Sequence, residues 1–159
     1  MIILIGEDQV KSITPVSANI TITSPLLQYI FEAQEAYIRP ILCDELYEDL
    51  LLNVKNSTVS ADYQLLIDNL RPTLAWYTFF ILVQGYAKHR EAGTMTFNGS
   101  NFNVVDSKTN DTLKYNAFNS AERNAVILKR YIERNRTKYP LYCSCSEGAP
   151  SIRDYFMYV

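Results

Sequence analysis

Histidine is nearly absent: His89 is the one in 159 residues. A catalytic triad, an imidazole metal site or a histidine acid–base pair would have to rest on it alone. Cysteine is scarce too. Cys143 and Cys145 form C-x-C, not the C-x-x-C of zinc or thioredoxin-like motifs. That pair reads as free cytosolic thiols, and no metal or other cofactor is expected. The five glycines, Gly6, Gly85, Gly93, Gly99 and Gly148, are scattered, so no phosphate-cradling loop is present. No apolar run reaches the roughly 20 residues of a membrane span; the greasiest, Leu74 to Val83, is interrupted by Thr78. Met1 to Ile5 has no basic residue before it and is followed by Glu7 and Asp8, which is not a signal-peptide pattern. No membrane partner is expected.

What is present describes a folded domain. The hydrophobic fraction is 48% and the charged fraction 20%, values outside the disordered and low-complexity classes. A net charge of −2 argues against nucleic acid as the main partner. Aromatic residues are abundant: 12 Tyr, 7 Phe and 1 Trp. Such residues fill cores and favour protein interfaces.

The pattern along the chain predicts one mainly α domain over residues 1–159, a bundle of four to five helices. Residues 1–23 form an extended arm, with strand propensity in Ile2 to Ile5 and room for a helical turn between Glu7 and Ile13. The arm either covers its own core or adds a strand to a neighbour. Helices fill 24–92. Ser24-Pro25 starts the first, with Leu27, Ile30, Phe31 and Ile38 on one face, and Pro40 ends or kinks it. A second runs from about Asp44, with Leu42, Leu46 and Leu50 four apart. Ser60 caps a third, and Pro72 opens a fourth that is apolar nearly all round. Such a helix is central in its domain or is covered in part by other subunits.

Residues 93–117 read as a short β-hairpin, Thr94 to Phe97 and Phe102 to Val105 about Asn98-Gly99, then a mobile polar segment from Asp106 to Asp111. The last helix occupies 118–139. Asn119 and Glu122 resemble a capping box, and Ala121, Ala125, Leu128 and Ile132 make its stripe with Ile127 and Tyr131 beside it. Residues 140–159 are an irregular tail with Tyr142, Tyr155, Phe156 and Tyr158. These dock on the chain's own bundle or on a neighbour.

Charge is uneven. From Ser24 to Asp68 eight acids face two bases, a balance of −6; from Ser120 to Lys138 six bases face two acids, a balance of +4. Three readings stand: solvated faces of amphipathic helices, head-to-tail association of a basic helix with a neighbour's acidic helices, or a contact of the basic helix with DNA phosphates. The candidate interface residues are Arg123, Lys129, Arg130, Arg134 and Arg136 on the basic side and Glu45, Glu48 and Asp49 on the acidic side. The aromatics Phe97, Phe102, Tyr142, Tyr155, Phe156 and Tyr158 join them. No catalytic set is found. His89 with Glu91 is explained by a helix C-terminus, and Cys43 beside Asp44 and Glu45 by a buried thiol near capping acids.

One string is distinctive: Ala33-Gln34-Glu35, then Ile38-Arg39-Pro40-Ile41-Leu42 and Leu46-Tyr47-Glu48-Asp49-Leu50. With an arm before it, an apolar helix, a glycine-containing loop and a basic last helix ending at Tyr139-Pro140, the order from about Ile3 to Pro140 resembles the head–tail connector (adaptor or ring) proteins of tailed bacteriophages. The likeness is closest to those of phages infecting gut Bacteroidetes, including the crAss-like phages. Such proteins often carry glycine where this chain has Cys43.

The resemblance implies a structural virion protein, not an enzyme. It would be assembled in the host cytoplasm and located in the neck. There it would form a twelve-fold homo-oligomeric ring below the portal protein, extend the DNA channel and dock the next tail component. The alternative is a nucleic-acid-binding helical module using the basic last helix. On the ring reading, much of the aromatic surface is expected to be buried only when neighbouring subunits are present.

Overall fold

The computed structural model describes residues 1–16, 25–88, 96–97, 100–101 and 107–142. The fold is mainly helical. In chain order the elements are α1 (Glu7–Ile13), α2 (Pro25–Ala33), a π-helical turn (Gln34–Ile38), α3 (Arg39–Leu42), α4 (Asp44–Lys55), α5 (Ala61–Lys88), the pair β1 (Thr96–Phe97) and β2 (Ser100–Asn101), α6 (Ser107–Arg134) and a 3₁₀ turn (Arg136–Lys138).

Of the arm, residues 1–16 are described, and 17–23 lie outside the described residues. Residues 1–16 contain no strand; α1 occupies the place where only a helical turn was allowed for. Gln9 accepts the Gly6 N–H through its side chain at 3.0 Å and so caps the first turn. Leu4, Ile5, Val10 and Val16 are buried in the main core, so the described arm covers its own bundle. Ser24, expected to cap α2, lies outside the described residues.

Pro40 neither ends nor sharply separates its helix. Proline has no N–H, and its ring collides with the carbonyl four residues back in a regular helix. Here the preceding turn is widened to π geometry and the Arg39 N–H reaches back five residues to the Gln34 carbonyl, after which α3 continues to Leu42. The extra residue rotates the buried stripe. Leu26, Ile30, Ala33 and Ile38 are fully buried, while Leu27 and Tyr37 are only packed against the core.

Between α3 and α4 the chain turns at Cys43, with φ 66° and ψ 156°. That region is open to glycine and strained for other residues, by about 1–3 kcal/mol. Cys43 is nonetheless buried. The expected result is therefore an inverted ranking. Cys43→Gly should unfold within about 1 kcal/mol of the parent, because relief of strain offsets lost burial. Cys43→Val, which keeps the volume but adds a β-branch at positive φ, should lose about 2 kcal/mol. Urea denaturation of the two variants measures the order directly.

α5 is one helix, not two. Pro72 lies inside it, at a cost of about 3 kcal/mol in an isolated helix. Buried residues on both sides hold the helix together: Leu66, Ile67 and Leu70 before it, Thr73, Leu74 and Ala75 after it. Ser60 does act as a cap, accepting the Tyr63 N–H at 3.2 Å. From Tyr77 to Val83 every residue is buried, because α1, α2, the π turn and α6 all pack on α5. The apolar helix is thus central within a single chain. Tyr77, Phe79 and Phe80 need no neighbouring subunit to leave water, so this part of the aromatic surface is covered within the chain; Trp76 is half-buried, and Tyr155, Phe156 and Tyr158 lie outside the described residues.

β1 and β2 pair antiparallel, Thr96 opposite Asn101 and Phe97 opposite Ser100. Two residues a side do not amount to the expected hairpin, whose second arm, residues 102–105, lies outside the described residues. Nor is the segment after it a loop. α6 already begins at Ser107, eleven residues before the expected start at 118. Leu113, Ala117 and Ala121 continue the core stripe upstream at four-residue spacing, and Leu113 and Phe118 pack on the core. Asn119 therefore sits mid-helix and caps nothing. Ala117, Ala121 and Ala125 let α6 lie close along α5, with Leu128 and Ile132 completing the contact. Ile127, expected beside that stripe, points outward. Tyr139 and Tyr142 fold back into the core.

Candidate functional site

The distinctive string folds into one polar network. Gln34, in the first position of the π turn, is completely buried. Its Oε1 accepts the Leu4 N–H at 2.9 Å, and its Nε2 donates to the Ile2 carbonyl at 3.1 Å and to the Tyr47 hydroxyl at 2.8 Å. One side-chain amide thus satisfies two backbone groups of the arm, as a neighbouring strand would. The Tyr47 hydroxyl donates in turn to Glu35 Oε1 at 2.6 Å. Arg39 pairs with Glu35 at 3.1 Å, Asp44 at 2.6 Å and Glu48 at 2.9 Å, and its guanidinium carbon sits 5.5 Å from the Tyr47 ring centroid. Arm, π turn, α3 and the start of α4 are held as a unit. The sequence marked Gln34, Glu35, Arg39 and Tyr47 only as parts of a resemblance, not as interacting residues. The available signal was a run of buried-type spacing interrupted by a polar Gln.

The acidic candidates divide. Glu48 is taken up by Arg39, and Asp49 accepts from the Tyr63 hydroxyl and from Asn53 Nδ2. Glu45 is exposed and has no ion-pair partner among the described residues. The basic candidates stay together. Arg123, Lys129, Arg130, Arg134 and Arg136 are all exposed, and none is in an ion pair among the described residues. At 100° per residue, Arg123, Val126, Ile127, Arg130 and Arg134 fall on one side of α6, opposite Ala121, Ala125 and Leu128. Val126 and Ile127 are 45% and 60% exposed in its middle.

Of the aromatic candidates, Tyr142 is buried in the chain's own core, which removes it from the surface. Phe97 lies on β1. Phe102, Tyr155, Phe156 and Tyr158 lie outside the described residues, as do His89, Cys143 and Cys145. Among the described residues no group of three or more His, Cys, Asp or Glu is placed to hold a metal ion, and no helix is long and apolar enough to cross a membrane.

Tyrosine hydroxyls tie the helices together. Besides Tyr47–Glu35 there are Tyr77 to Glu122, across α5 and α6, and Tyr63 to Asp49, across α5 and α4. Tyr139 donates to the Asp62 carbonyl at 2.9 Å, and Lys138 pairs with the Asp62 carboxylate at 3.0 Å. Burial, then the bond to Asp49, pushes Tyr63 up to about 12. Burial and the carboxylate acceptor raise Tyr47 and Tyr77 well above the ordinary phenol value, and burial with the Tyr131 hydroxyl raises Tyr139.

Below pH about 10 these phenols are neutral both folded and unfolded, and stability is unaffected. Above it the unfolded chain ionises first and binds fewer protons than the native one, so stability falls through the folded values. Alkaline titration followed by phenolate absorbance and circular dichroism tests this. The hydroxyls of Tyr47, Tyr63, Tyr77 and Tyr139 should ionise only together with loss of helix.

Residues 38–152 match the model of a family described as Family of unknown function (DUF6712), and the chain belongs to that family. No curated protein and no solved structure matches it.

Proposed function

We propose that this DUF6712 family member is a structural virion protein, a head–tail connector that assembles as a homo-oligomeric ring below the portal, extends the DNA channel and docks the tail. The observation that carries the reading is the string from Ala33 to Leu50, the part of the sequence that most resembles the connectors of tailed phages. Its residues serve one purpose here. Gln34, Tyr47, Glu35 and Arg39 bind an arm to a helical unit, as a fold signature shared among assembly proteins would. The cations of α6, exposed and in no ion pair among the described residues, suit a protein whose surface meets other surfaces.

Size-exclusion chromatography with light scattering, run alone and with the portal protein, tests the proposal. A defined multimer, alone or on the portal, supports it. A persistent monomer that never binds portal overturns it.

A further inference from the structure

The charges of this chain are separated by its own fold. α6 packs on α5, and α5 carries α1, α2 and the π turn. No ion pair among the described residues joins the outer face of α6 to the acids of α2, the π turn or α4. On one side stand Arg123, Arg130 and Arg134, exposed and in no ion pair among the described residues, around the exposed pair Val126 and Ile127. On the other side the single guanidinium of Arg39 lies among three carboxylates, those of Glu35, Asp44 and Glu48. That group keeps an excess of two negative charges. Glu32 and Glu45, both exposed and outside any ion pair among the described residues, flank it in sequence and raise the excess to four.

We infer that the outer face of α6 in one copy docks on the acidic surface built around Arg39 in the next copy. The inference rests on the ring reading and names its contact. Two facts favour a second copy as occupant. First, one chain carries both complementary faces, and no ion pair among the described residues joins them. Second, Val126 and Ile127 interrupt the cations with aliphatic surface, which gains on a protein partner but meets no counterpart in a row of phosphates. Because the two faces differ, the contact is heterologous and repeats from copy to copy, closing into a ring if its rotation permits.

Three variants of the full chain test this, using exposed side chains only. The first carries Arg123→Glu and Arg130→Glu. The second carries Glu32→Lys and Glu45→Lys. The third carries all four changes. Sedimentation velocity at low salt should show that each double variant self-associates about a hundredfold more weakly or worse, that a mixture of the two doubles recovers one contact, the first variant's intact acidic surface taking the second variant's intact α6 face, and that the fourfold variant, whose acidic surface is brought only to neutral, does not recover.

Association that is unchanged in both doubles overturns this contact and leaves the ring reading standing. A wild-type chain that stays monomeric at low salt overturns the contact too; if it also fails to bind portal, the ring reading falls with it. A parallel titration uses random-sequence duplex DNA. Salt-sensitive DNA binding that the first variant abolishes, with self-association intact, assigns the face to nucleic acid and overturns the proposal.

Discussion

Gln34→Ala is expected to lose about 3 kcal/mol of stability, a large share of the roughly 5–15 kcal/mol that holds a domain of this size. The loss has identifiable parts. The Leu4 N–H, buried, is left without an acceptor, and the Ile2 carbonyl loses its donor. The Tyr47 hydroxyl suffers least, since Glu35 still accepts from it. A small cavity adds to the cost. The consequence reaches beyond the melting curve, because Gln34 is what joins the arm to the π turn. Limited proteolysis should cut within residues 1–16 of the variant under conditions where the parent resists. Gln34→Glu supplies the acceptor but no donor and places a carboxylate in a fully buried position. Its loss should be as large at neutral pH and should shrink in acid, where the protonated group donates again.

The second large effect concerns the aromatic helix. Phe79 is 1% exposed and meets Trp76 edge-on, with ring centroids 6.0 Å apart. Phe79→Ala should cost about 3–5 kcal/mol in the isolated chain, measured by urea denaturation at low protein concentration. Had this aromatic surface waited for neighbouring subunits, the same substitution would leave the isolated chain untouched and impair assembly alone. Ile127→Ala is the opposite case. At 60% exposure it should change stability by less than about 0.5 kcal/mol while weakening the contact inferred for the outer face of α6.

The sequence made some of this legible and hid the rest for physical reasons. Leu46 and Leu50 announced α4 because their spacing repeats the helical turn, and both are buried; Leu42, read with them, instead ends α3 before the turn at Cys43. Ala121, Ala125, Leu128 and Ile132 did the same for α6. Two prolines misled in the same way. Pro40 is absorbed by a π turn and Pro72 by burial on both sides, and neither compensation is a local property of the sequence.

The start of α6 was hidden by a polar run, from Ser107 to Thr112, that precedes the first stripe residue, Leu113. The network of the candidate site was the least legible part. A buried Gln that pairs with backbone 30 residues away leaves no periodic trace, and the arm's apolar residues suggested a strand when a buried irregular turn and α1 used them instead. The basic helix was the reverse. Its cations were visible as a balance of charge, but only the fold shows that they are exposed, in no ion pair among the described residues, and set around Val126 and Ile127.

The most direct measurement is an electron-microscope image of the purified chain incubated with its portal protein. The account predicts a closed ring of this chain, coaxial with the portal and extending its channel. Portal particles that carry no added density, with the chain free in solution as a monomer, would contradict it.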